Sequence, residues 1–114
     1  MSRSVTDLLR HMLDEAEYLL DEARSLNREQ FLLDGTRRRA FVRSIEIIGE
    51  AAKGVPKSFR DKYPAVPWQA IAGMRDRLIH GYFAVDFEIV WDVVENKIPE
   101  LRGQLQQILD AEQE

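Results

Sequence analysis

The chain has 114 residues, 45% hydrophobic and 32% charged, the balance of one ordinary globular domain spanning residues 1–114. It contains no cysteine, which excludes disulfides, thiolate metal sites and a cysteine nucleophile and fits a reducing cytoplasm; nor does any stretch have the length of a membrane span or the apolar core of a secretion signal. The formal net charge of −4 runs against a nucleic-acid binder, so any contact with RNA has to come from a local basic patch.

Helical periodicity dominates from end to end. Val5, Leu8, Leu9, Met12, Ala16, Leu19, Leu20, Ala23 and Leu26 recur at three- and four-residue steps, with Ser4 or Thr6 as the cap. Residues 27–35 read as a connection with room for one helical turn. Asp34 then suits the N-cap of a second helix running to about Val55, with Phe41, Ile45, Ile48, Ala52 and Val55 as its stripe. Ser44, Gly49 and Ala51 flank that stripe and predict a close approach to another helix. Gly54 and Pro56 end it. Prolines 56, 64 and 67 mark the main loop, with a short helix around residues 57–63. Pro67 opens a third helix expected to run unbroken to about His80 and to stop at Gly81. Asp86 caps a fourth, beginning at Phe87, in which Pro99 introduces a kink or a new segment. The expected architecture is all-α, a four- to five-helix antiparallel bundle.

Few residues here can do chemistry. Of the two histidines, His11 sits between Arg10 and Met12 on a solvated first helix and reads as a surface residue. His80 lies in the stretch Arg75-Asp76-Arg77-Leu78-Ile79-His80-Gly81-Tyr82-Phe83. On an ideal helix Arg75 falls at the centre of an apolar arc made by Trp68, Ile71, Ala72, Leu78, Ile79 and Tyr82. A charge there needs a partner. It is either functional or an ion pair with Glu46 or Glu50, and spacing does not decide between these. Asp76 is the helical neighbour of His80 at four residues, where it would hold the imidazole or simply be solvated beside Arg77. Arg37, Arg38, Arg39 and Arg43 cluster at the start of the second helix, where cations oppose the helix dipole. They form either a solvated face or a phosphate-binding patch. No metal-ligand spacing and no phosphate-cradling glycine loop is present. The arc of Trp68, Ile71, Leu78, Tyr82 and Phe83 exceeds what one small domain needs, which predicts a homodimer.

The segment 75–83 resembles the signature of HEPN domains in prokaryotic toxin–antitoxin modules that pair a HEPN toxin with a minimal nucleotidyltransferase. Arg43-Ser44-Ile45-Glu46-Ile47-Ile48-Gly49-Glu50-Ala51-Ala52-Lys53 is similar to that family's second-helix block. Tyr63-Pro64, Pro67-Trp68, Ile71 and Met74 resemble its loop and third-helix entry, and the stretch from Val85-Asp86 to Trp91 its fourth-helix start. The resemblance spans about residues 5–110. It implies a helical homodimer with the motif lining a cleft between protomers, and cleavage of RNA without a metal or other cofactor. It also implies Arg75 as the phosphate clamp, His80 as the acid–base group with Asp76 beside it, and Tyr82 as the site of AMP attachment by the nucleotidyltransferase antitoxin. Arg37, Arg38, Arg39, Arg43 and Arg77 are the candidate RNA contacts. The family often has asparagine where this chain has Asp76. The alternative is a non-catalytic nucleotide- or RNA-binding partner of the nucleotidyltransferase.

Overall fold

A computed structural model describes residues 4–79 and 84–113. In chain order the helices are α1 (Val5–Ala23), α2 (Arg28–Leu33), α3 (Gly35–Lys53), α4 (Lys57–Arg60), α5 (Trp68–Ala72), α6 (Met74–Leu78), α7 (Phe87–Asn96) and α8 (Ile98–Glu112). The fold is all-α; among the described residues the only extended pairing is an isolated antiparallel bridge between Ile79 and Val85. The expected bundle is present in the four long helices α1, α3, α7 and α8, and four short helices connect them. No described helix is long and apolar enough to cross a membrane.

The caps follow from short polar side chains that satisfy the first free amides of a helix. Ser4 Oγ accepts from the Asp7 amide at 3.1 Å, and Asp34 Oδ1 from the Arg37 amide at 3.0 Å. Asp86 Oδ1 accepts from the Ile89 amide at 3.2 Å. Asn27 and Gln30 form a reciprocal capping box, so the predicted single turn before Gly35 is the helix α2. Pro99 starts a segment rather than kinking one: it stands in the first turn of α8, where a missing amide costs nothing.

The helix α1 runs antiparallel to α3, since Leu8 packs under Gly54 at one end and Glu22 pairs with Arg37 at the other. Leu9, Met12, Ala16 and Leu19 from α1 meet Phe41, Ile45, Ile48 and Ala52 from α3 in the core, with Leu101, Leu105 and Ile108 from α8. Phe31 of α2 is fully buried and bridges α3 to α7, its ring 4.9 Å from that of Phe41 and 5.3 Å from that of Trp91. Gly49 answers the predicted close approach: a Cβ on it would stand 3.3 Å from the carbonyl oxygen of Ile71 and 3.5 Å from that of Ala72.

One expected element differs. The third helix is not continuous but breaks at Gly73 into α5 and α6. Glycine is the weakest ordinary helix former, and Gly73 caps α5 with its amide on the Gln69 carbonyl at 3.0 Å. The second segment then ends at Leu78, before Gly81, because Ile79 is extended (φ −112°, ψ 113°) and pairs with Val85. The ideal-helix register across residues 68–80 therefore does not hold.

Candidate functional site

Arg75 leaves α6 towards α3, and its side chain is 45% exposed rather than sunk in an apolar arc. Its Nε donates to Glu46 Oε2 at 3.3 Å, and its Nη1 to Asp76 Oδ1 at 3.4 Å. The partnership with Glu46 is one of the two that spacing left open; Glu50 instead pairs with Lys53 at 3.3 Å. Glu46 is mostly covered on α3, whereas Asp76 is 75% exposed. The guanidinium thus has one mostly covered partner from another helix and one exposed partner from its own.

After α6 the chain turns back on itself. The Ile79–Val85 bridge and a hydrogen bond from the Asp86 amide to the Leu78 carbonyl, 3.0 Å, bring the start of α7 beside the end of α6. The ends of the segment 79–85 are thereby fixed next to Arg75. His80 and Tyr82 lie outside the described residues. The four-residue helical relation expected to place Asp76 against His80 needs a helix through residue 80, and α6 stops at Leu78. Among the described residues the carboxylate of Asp76 meets Arg75.

A scan against known families matches the HepT-like family, described as "Ribonuclease HepT-like", over residues 12–108. The chain belongs to the HepT-like ribonuclease family. It is 50% identical over 104 residues, 91% of this chain and 93% of the relative, to a Caldanaerobacter subterraneus protein named "Putative RNase". It is 39% identical over 108 residues, 95% of this chain and 98% of the relative, to the "Probable ribonuclease HepT" of Thermococcus cleftensis. No solved structure gives a significant match. The region matched to the HepT-like family contains Glu46, Arg75, Asp76 and the whole segment 79–85.

The other arginines singled out in the sequence do not form one patch. Arg37 is tied down: its Nε donates to Glu22 at 3.2 Å and its Nη1 to Asp34 at 2.8 Å. The amide and guanidinium of Arg37 together hold the Asp34 carboxyl below its ordinary range, and the bond to Asp34 raises the guanidinium in turn. Arg39 Nη1 donates to the Gly35 carbonyl at 3.0 Å on the same helix. Arg43 is exposed and shares a shallow hollow with Leu8, His11, Ile47 and Glu50. Arg77 points to the side of α6 away from Arg75, into an apolar groove of about 460 Å³ lined by Ile71, Met74, Leu78, Ile89 and Val93.

Arg38 reaches the head of α7. Its guanidinium carbon lies 4.8 Å from the centroid of Phe87, the first residue of α7. Its Nε is buried without an acceptor among the described residues. Sequence reasoning did not find this stack, because residues 38 and 87 are related only by the return of the chain through the Ile79–Val85 bridge. The four-residue steps Arg38, Val42, Glu46 on α3 were the available signal.

Proposed function

We propose that this chain is a metal-independent endoribonuclease, the toxin of a toxin–antitoxin module, acting through Arg75 and His80. The observation that carries the reading is the exposed Arg75 guanidinium, held by Glu46 and Asp76 beside the paired ends of the segment 79–85, inside the region matched to the HepT-like family. Exposed ion pairs are worth only about 0–1 kcal/mol, so a phosphate can take the place of the exposed Asp76. A guanidinium then clamps two phosphate oxygens and meets the charge that develops on them. His80 takes the proton of the ribose 2′-hydroxyl as its oxygen bonds to phosphorus. The bond from phosphorus to the 5′-oxygen breaks, that oxygen regains a proton, and a 2′,3′-cyclic phosphate is left. An imidazole with its ordinary pKa of about 6.5 suits both transfers.

Tyr82 is the proposed switch: a nucleotidyltransferase moves AMP from ATP to its hydroxyl with release of pyrophosphate. The added anion then competes with RNA for Arg75. The working unit is a homodimer, as the family resemblance implies. The apolar-arc argument for it changes, since Trp68, Ile71 and Leu78 are buried in the protomer's own core. The apolar surface left beside α6 is the groove that ends at Ile89, 41% exposed.

The test is cleavage of RNA and of the matching DNA by purified protein in EDTA. RNA should be cut to cyclic phosphate ends, DNA should resist, and His80→Ala should be inactive with its helical circular dichroism intact. Strict dependence on magnesium, or undiminished cutting by His80→Ala, would overturn the mechanism. Light scattering should give a dimer at micromolar concentration. Co-expression with a cognate nucleotidyltransferase should add AMP to the wild type and not to Tyr82→Phe. A second reading is favoured by the same ion pairs: with Arg75 committed to two carboxylates, the chain would bind RNA or nucleotide without cutting. Tight binding by wild type with no cleavage is its signature.

A further inference from the structure

The helix α3 presents two anchors to the motif region. Glu46 reaches Arg75 on α6, and Arg38 reaches Phe87 at the head of α7. The paired ends of the segment 79–85 join α6 to α7 between them. Arg38 and Glu46 are a little over two turns apart on one helix, about 12 Å along its axis. Arg38 uses the face of its guanidinium on the ring and forms no hydrogen bond or ion pair among the described residues. With Nε buried, the two Nη groups are the edge left for a bidentate acceptor. Its neighbours Arg37 and Arg39 differ, each being bonded to acceptors of its own surroundings.

We propose that Arg38 is a substrate-binding residue that grips the RNA backbone at a phosphate beyond the scissile one, with Phe87 as the platform that aims it. This rests on the ribonuclease reading and deepens it. A strand advances roughly 3.4 Å per nucleotide when stacked and further when stretched, so about 12 Å spans more than one step. A phosphate held at Arg75 therefore leaves Arg38 to a different linkage of the same strand. The chain's net charge of −4 makes a cation with no ion pair among the described residues matter more than it would on a basic protein.

The test compares a dinucleoside monophosphate with an RNA of about ten nucleotides. For Arg38→Ala, KM on the longer RNA should rise several-fold with kcat nearly unchanged, and the dinucleotide should be cut as by wild type. In the background of His80→Ala, the slope of log affinity against log salt for the longer RNA should fall by about 0.7, one single-strand phosphate contact. Arg38→Lys should restore the slope but not the full KM, because the charge returns without the planar stack. Lys57→Ala, which removes an exposed charge on α4 beyond the opposite end of α3, should change neither quantity. An unchanged slope and KM in Arg38→Ala beside an active wild type would overturn the assignment of Arg38 and leave the ribonuclease reading standing. Equal losses on the dinucleotide and the longer RNA would overturn it too, placing Arg38 at the scissile phosphate or in the fold. A wild type that neither binds nor cuts RNA would overturn both.

Discussion

Of the two carboxylates that meet Arg75 one is mostly covered and one exposed, and the two should give opposite results when neutralised. Asp76 is exposed and competes with phosphate for the guanidinium. Asp76→Asn is expected to lower KM for RNA, by at most about fivefold given the ~1 kcal/mol ceiling of an exposed pair, with kcat unchanged. A fall in kcat would instead put Asp76 in the proton-transfer machinery. Glu46 is mostly covered and orients Arg75 from another helix. Glu46→Gln should lower kcat more than it changes KM, because the guanidinium loses its fixed direction. Equal kcat in Glu46→Gln and wild type would reduce the pair to a structural contact. At this scale the sequence offered Glu46 as a partner for Arg75 but not how the side chains face. The expected apolar arc around Arg75 assumed one regular helix, and a single glycine changes the register of everything after it.

Elements were legible wherever a local rule governs them. Ser4, Asp34 and Asp86 cap where short polar residues precede an apolar stripe, and Pro99 starts a helix where its missing amide is harmless. The break at Gly73 was not legible, because an isolated glycine inside a helical pattern is often tolerated. What decides it is tertiary: the carbonyls of Ile71 and Ala72 lean on Gly49 of α3. Gly49→Ala tests this contact. Alanine gains about 1 kcal/mol of helix propensity, but overpacking against backbone costs about 1–3 kcal/mol. A lower melting temperature is expected, and a higher one would show α5 free to move away. The end of α3 depends on a longer reach. Arg60 Nη2 donates to the Ala52 carbonyl at 2.8 Å and its Nε to the Val55 carbonyl at 2.9 Å. Arg60→Ala should cost about 1–2 kcal/mol, read in a urea titration, since carbonyls at a helix end lose a charged donor. No change would mean that water replaces the guanidinium at no cost.

The whole molecule is held shut at its distal end by contacts between the main loop and α8. Glu112 accepts from Lys62 Nζ at 3.0 Å and from the Tyr63 hydroxyl. The bond from Tyr63, with help from Lys62, keeps the Glu112 carboxyl below its ordinary range, and the same bond pushes the Tyr63 hydroxyl up. Asp34 is also held low, by Arg37. The two carboxylates, depressed in the fold, contribute stability that is present above the unfolded carboxylate range, about pH 4, and is lost as pH falls through their lower folded values. Tyr63 works in the other direction: its contribution is present below the ordinary tyrosine range near pH 10 and is lost as pH rises through the raised folded value. Glu112→Gln should therefore flatten part of the acid limb of a melting-temperature profile and leave RNA cleavage near neutral pH unchanged. An acid limb identical to wild type would remove Glu112 from the account.

The two tryptophans sit in different neighbourhoods, and this makes the molecule its own spectroscopic instrument. Trp91 is stacked on Phe31 in the interior between α2 and α7, while Trp68 opens α5 with its indole N–H on the Tyr63 carbonyl at 3.0 Å. In Trp91→Phe the remaining tryptophan emission would come from the head of α5, where the indole is buried against the main loop. A colour change would then report on the seam between the main loop and α5, unmixed with the packing of α2 on α7.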